Sequence, residues 1–289
     1  VIILATKVAI VEKNSFAKAI ELLGGIDHLN ISENRVVIKV GIYNTASKIC
    51  TTVNTLNSMI GAFTNVNDFL VVESDSGAGP GLERLEIWQD CFTENIHPFN
   101  LSHDQETKDV NVAGEIVKLS HVLFKPNIFL STHVPRRYEQ TGDEDLMNEG
   151  SIIKNLLGLI PDTKKFRFHK CLPAALLDMY EAIGGIELAV LDGTQVYLGH
   201  KEERTIVKPD ILIVGLDAFA VEAVGMYLVG LNPLEMSVMQ EAQKRGLGEI
   251  DLEKIEIIGD IASPKQAVIQ AFKRIGFEEE KLKVGKSAR

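Results

Sequence analysis

The residues best suited to chemistry gather between Asn127 and His169. An apolar run ends in Ser131-Thr132-His133. A basic and then acidic loop follows, and a segment of helical pattern carries Lys154-Asn155 ahead of a basic run that closes on His169. A neutral imidazole can bind a divalent metal or shuttle a proton. Lys154 and Asn155 follow the Gly150-Ser151 turn, where a helix start would favour an anion through its dipole. Either histidine alone reads better as a structural residue. Their placement around one Lys-Asn segment is what points to a site.

Three further groups sit where an apolar strand pattern ends, the place where open α/β sheets collect ligands. Glu73-Ser-Asp-Ser-Gly-Ala-Gly-Pro-Gly81 is a glycine-rich turn whose backbone N–H groups suit an anion cradle, with Asp75, Ser76 and Gly77 at its heart. It has neither the Walker A nor the dinucleotide spacing, so a plain tight loop is the competing reading, with Asp75 a metal ligand, a base or a cap. Lys39 lies inside the apolar run Val36–Val40, where an ammonium is costly unless paired. It is read either as facing an anion or Asp75, or as the solvent side of an alternating strand. Asp192 and Asp217 each follow an apolar run; Asp192 is the candidate metal ligand, and Asp217 is either catalytic or the N-cap of the next helix. Convergence of Lys39, Asp75, His133, Lys154, Asn155 and Asp217, with Thr132 beside them, on one concave surface is the expectation.

Strand-length apolar runs alternate with segments of helical period, which predicts an α/β fold with a mixed, mostly parallel central sheet flanked by helices. Strands are expected at Lys7–Val11, Val36–Val40, Phe69–Val72, Asn127–Leu130, Glu187–Leu191, Ile211–Val214 and Ile255–Ile258. Helices are expected after Asn14 or Ser15, over Val53–Phe63, Ile152–Leu159, Ala174–Ile183 and Val221–Leu228, before Ile255, and after Ser263-Pro264. A hairpin over Val110–Val112 and Glu115–Leu119 is read as the source of the mixed character. One α/β domain over 1–289 is expected, with a small inserted subdomain from about Glu83 to Leu123 and a frayed, charged tail over 278–289.

The chain of 289 residues is 45% hydrophobic, enough for a substantial core. Its net charge of −10 argues against a sequence-independent nucleic-acid binder. Against that background Arg136, Arg137, Lys164, Lys165 and Arg167 form a local basic patch, read as ligand chemistry or a solvated loop. Three cysteines, Cys50, Cys91 and Cys171, lack the spacing and number of a cysteine-ligated iron–sulfur cluster, so none is expected from this chain alone. They fit a reducing, cytoplasmic setting. No apolar run approaches the roughly 20 residues that cross a bilayer. Val1–Ala5 lacks a basic leader and flows into a strand pattern, so no signal peptide is expected, and without a Met the natural start is expected upstream of Val1. His28, His97, His103, His121 and His200 have no partner at metal spacing and are read as surface residues.

Taken in order, Val-Val-Ile-Lys39, Leu-Ser-Thr-His133, Ile-Lys154-Asn155-Leu-Leu-Gly158, His169, Leu-Asp192-Gly193 and Val-Gly-Leu-Asp217-Ala-Phe-Ala-Val-Glu222 resemble the family called domain of unknown function 362. The chain departs from that pattern at three places: Val40-Gly41 stands for Pro-Asn, Ser131 for lysine, and Glu222 for aspartate. Some family members are fused to ferredoxin-like iron–sulfur modules, so the resemblance implies a redox protein partner; it implies no reaction.

Three functions compete on these residues. The first is an enzyme for a small carboxylate- or phosphate-bearing substrate. There Lys39, Lys154 and Asn155 hold the anion, His133 or His169 moves a proton, and Asp192 or Asp217 orients a histidine or binds a divalent metal. The second is a non-catalytic accessory to an iron–sulfur or redox partner. The third is a purely structural use of the buried polar groups.

Overall fold

The computed structural model describes residues 6–44, 49–138, 150–199 and 204–275. Val1–Ala5, the acidic stretch before Gly150, His200 and the charged tail lie outside the described residues. In chain order the first elements are β1 (Thr6–Glu12), α1 (Phe16–Leu22), β2 (Val36–Lys39), β3 (Ile42–Asn44), β4 (Ile49–Cys50), α2 (Val53–Gly61), β5 (Phe69–Glu73) and α3 (Gly81–Leu85). β6 (Ile96–Asn100), β7 (Thr107–Val112), β8 (Glu115–Ser120), β9 (Ile128–His133), β10 (Arg136–Tyr138), α4 (Leu172–Ile183), β11 (Leu188–Gly193) and β12 (Val196–Gly199) follow. The chain continues with β13 (Arg204–Val207), β14 (Ile211–Gly215), α5 (Ala218–Leu228), α6 (Ser237–Arg245), β15 (Ile255–Ile258) and α7 (Ala262–Arg274).

Eight strands form the central sheet in the order β15-β1-β14-β11-β9-β2-β5-β6. Every neighbouring pair is parallel except the two made by β14, which opposes both β1 and β11. The central strands are apolar along nearly their whole length because both faces are covered. On one face Ala9, Ile38, Val71, Leu130 and Val190 pack with Phe16 of α1, Leu56 and Met59 of α2, and Leu85 of α3. On the other, Val37, Val72, Phe129, Leu191 and Ile213 pack with residues of α4, α5, α6 and α7. The result is three layers, helix on sheet on helix.

The predicted α/β architecture is observed, but the mixed character of the sheet has a different source. The hairpin of β7 and β8 forms as expected, yet it is a separate two-stranded ribbon. The lone reversed strand is β14. Strand β9, expected to end at Leu130, continues through Ser131, Thr132 and His133. Ile152–Leu159, expected to be α-helical, is instead a tight 3₁₀ segment over Lys154–Leu159. Gly158 weakens the segment as a helix and Pro161 follows it, leaving too few residues for stable α-turns.

Candidate functional site

Strands β5, β2 and β9 are adjacent and parallel, so their carboxyl ends present Glu73, Lys39 and His133 along one edge of the sheet. Lys39 is 1% exposed, and burial pulls its ammonium below the usual lysine range, opposed by the charge of Glu73. Three acceptors compensate it: Val40 O at 2.9 Å, Glu73 Oε2 at 3.1 Å and Asn155 Oδ1 at 3.1 Å. Asn155 in turn donates from Nδ2 to Lys39 O, Thr132 O and Ser131 Oγ, at 3.2, 3.2 and 3.3 Å. One amide thus ties the ends of β2 and β9 to the 3₁₀ segment. Close approach requires glycine there: a Cβ on Gly158 would lie 2.7 Å from Lys39 Cε.

Above this network opens a cavity of about 170 Å³ lined by Lys39, Glu73, Ser76, Arg84, His133, Arg136, Lys154, Asn155 and Lys165, with Ile42, Leu157 and Gly158. Five lining side chains are cationic and, among the described residues, one is a carboxylate. Glu73 receives Lys39 and lies 3.5 Å from Arg84 Nη2. Lys165 donates to Ser74 Oγ, whose own proton goes to Gly158 O at 2.6 Å. Burial lowers Lys165 to about 8.

His133 is 3% exposed, and burial, with the charges of Arg136, Lys39 and Lys154, holds its pKa well below the usual imidazole range. The ring is therefore neutral near pH 7. Its Nδ1 lies 2.8 Å from Val134 N and 3.2 Å from Val134 O, and the shorter contact, in which Nδ1 accepts, favours the ring proton on Nε2. His169, half-buried on the 3₁₀ segment Lys165–Cys171, does not line the cavity. Its Nδ1 lies 2.8 Å from Phe166 O, so the proton sits on Nδ1 and Nε2 keeps its lone pair. Burial lowers its pKa as well, with Lys154 and Arg136 adding to the effect, so the same two cations bear on both histidines.

The remaining predicted residues divide clearly. Thr132 faces the opposite side of β9, with its hydroxyl 3.4 Å from that of Thr51. In the glycine-rich turn, Ser76 reaches the cavity while Asp75 and Gly77 do not line it. Asp75 works as a loop clasp: Oδ1 accepts from Gly81 N and Asn100 Nδ2, both at 2.8 Å, and Oδ2 lies 3.2 Å from His103 Nε2. Partial burial works against its ionisation, but those three partners outweigh it and hold the pKa below the usual range. His103 is on the surface as expected, though with Asp75 as its partner. His97, on β6, is exposed as well. The turn does not form an open cradle, because Ser76 and Gly79 bond each other and Ala78 N donates to Ser76 Oγ.

Asp192 is fully buried in β11. It accepts from Thr52 N at 2.7 Å, Thr52 Oγ1 at 2.8 Å and Thr194 N at 3.1 Å, securing the start of α2. Among the described residues no three His, Cys, Asp or Glu side chains are grouped to hold a metal. Asp217 corrects the expected convergence. It follows β14, whose reversed direction sets Gly215 opposite Ala189 near the start of β11, at the far edge of the sheet from His133. There it caps α5 through Phe219 N and Ala220 N and accepts from Glu249 N, with burial raising its pKa.

Glu222 corrects the helix-dipole argument for Lys154. Its carboxylate accepts from Ser151 N at 2.8 and 2.9 Å and from Ile153 N at 3.0 Å, so these backbone donors ahead of Lys154 are already filled. Burial raises the Glu222 pKa, against the pull of those donors and of Arg136. Gly150, at φ +104°, gives the carboxylate room: a Cβ there would sit 2.8 Å from Glu222 Cδ.

Glu73 and Arg84 are the lining residues that reading the sequence missed. Glu73 had a signal, being an acid that ends an apolar strand beside the strand ending in Lys39. Arg84 had none, because only the turn after β5 brings it back over the strand ends.

An open, mostly parallel sheet with a cationic pocket at its carboxyl edge defines the class of α/β protein. The chain belongs to the family described as domain of unknown function (DUF362), whose model matches residues 36–227 and so spans β2 to α5. No curated protein matches the chain significantly. No helix among the described residues is long and apolar enough to cross a membrane.

Proposed function

We propose that this chain binds a small anionic ligand in the pocket at the ends of β2, β5 and β9, and acts on it through the neutral His133. The observation that carries the reading is the lining itself: five cationic side chains converge on one small cavity in a chain of net charge −10. At about 170 Å³ the space is below the roughly 300–1,000 Å³ of pockets for drug-sized ligands, which favours a carboxylate or phosphate group on a compact molecule.

In this reading Lys154, Asn155 and Ser76 border the ligand and Lys39 fixes the pocket floor. His133 donates a hydrogen bond from Nε2, while His169, with its lone pair on Nε2, stands outside the lining and bears on the pocket only through the charges of Lys154 and Arg136. Asp192 and Asp217 are framework carboxylates rather than a metal ligand and a catalytic acid. Three well-separated cysteines, Cys50, Cys91 and Cys171, fit a reducing, cytoplasmic setting. The redox-partner reading rests on family resemblance alone, and no pocket residue bears on it.

The test is a melting series at constant ionic strength with acetate, malonate, phosphate and sulfate, on the wild type and Lys154→Met. A ligand that binds only the native state raises its stability by mass action. At least one anion should stabilise the wild type and lose that effect in a folded Lys154→Met. Equal responses in both proteins, or none in either, would overturn the reading.

A further inference from the structure

Lys39 has no donor to offer a ligand, since its three ammonium protons match its three acceptors. Glu73 is equally committed: Oε1 accepts from Ser74 N at 2.9 Å, and Oε2 receives Lys39 with Arg84 close by. Arg84 and Lys165 differ. Arg84 Nη1 donates to Ser74 O at 3.3 Å, but its Nε is buried with no hydrogen-bond partner among the described residues. Ser74 Oγ is the one hydrogen-bond acceptor of Lys165 Nζ among the described residues, which leaves two ammonium protons uncommitted. Both residues line the same cavity. An orphaned buried donor is costly unless something fills it. Among the described residues lining this arc, three cations meet one carboxylate, Glu73, and Asp162, outside the lining, also bears on Lys165.

Resting on the anion-binding reading above, we propose that the ligand's end group is a dianionic tetrahedral oxyanion, a phosphoryl group, contacted by Arg84 and Lys165 and not by Lys39. Arginine suits such a group because its planar donors match adjacent oxygens. Lys39 is a positioning residue that holds Glu73 and Asn155. The charge of Lys165 is conditional. Burial pushes its pKa down to about 8, with Glu73 and Asp162 pulling it up and Lys39 and Arg84 pushing it further down. Binding that needs the ammonium therefore weakens as pH climbs through that value, by about tenfold between pH 7 and pH 9.

Calorimetric titration at constant ionic strength tests this with three probes: sulfate, a dianion at every pH used; methanesulfonate, a monoanion with a similar three-oxygen face; and acetate. Sulfate should bind about tenfold or more tightly than either monoanion, as expected for the additional charge in a partly desolvated site. Arg84→Gln should lower sulfate affinity by about tenfold, and wild-type affinity should fall from pH 7 to pH 9 as stated. The wild-type pH series stands whether or not the variant folds. Monoanions binding as tightly as sulfate would overturn the dianion assignment while leaving the anion reading intact. Sulfate affinity unchanged by Arg84→Gln, or flat with pH, would overturn the assigned contacts. Failure of every anion to bind would overturn both.

Discussion

Asn155 holds Lys39 at both ends, accepting from its Nζ at 3.1 Å while donating to its backbone oxygen at 3.2 Å. The arrangement fixes the lysine side chain relative to its own strand, so an ammonium can be buried without wandering.

Removing that amide is therefore expensive. Asn155→Ala leaves Lys39 with two acceptors and strips the buried donor from Lys39 O, Thr132 O and Ser131 Oγ. The expected loss is about 1–3 kcal/mol in urea unfolding, the cost of orphaned buried polar groups. A loss below about 0.5 kcal/mol, the scale of surface substitutions, would mean that Lys39 is held by Glu73 and Val40 alone.

Gly41 shows why the strand exit after Lys39 carries no side chain. A Cβ there would lie 2.6 Å from His133 Cα and 2.7 Å from Thr132 O, both backbone atoms that cannot swing away. Gly41→Ala should destabilise the protein by about 1–3 kcal/mol through overpacking. It should also shift the His133 ring resonances. A neutral substitution with an unmoved ring would show that the two strand ends stand further apart than described.

The pH dependence of His133 has a definite sign. Its folded pKa is depressed below 6.5 by burial and by the nearby cations Arg136, Lys39 and Lys154. The stability it contributes is therefore complete above pH 6.5 and is lost as pH falls through the folded value. Nitrogen NMR should show a neutral ring with its proton on Nε2 at pH 6.5. Wild-type stability should fall more steeply with acid than that of His133→Gln. A ring titrating at or above 6.5 would contradict the buried, cation-flanked placement.

Much of this site was legible in the sequence, for identifiable reasons. Lys39 inside an apolar run, His133 at the end of another and the Lys154-Asn155 pair are local anomalies, and strand periodicity sets two of them at strand ends. The misplacement of Asp217 has a different origin. Apolar pattern shows that Ile211–Gly215 is a strand but not its sense, which is set by pairing with β1 and β11 far away in sequence. The Lys154 helix start failed similarly, because Glu222 reaches it across 69 to 71 positions of chain. Arg84 carries no local signal at all, since its role comes from the return of α3 over the end of β5.

The most direct measurement is anomalous diffraction from crystals grown with selenate, a tetrahedral dianion whose selenium marks its own position. The account predicts a peak inside the pocket, within hydrogen-bond reach of Arg84 and Lys165 and above the Lys39–Asn155 floor. Selenate found only on surface lysines, with the pocket density explained by water, would contradict it.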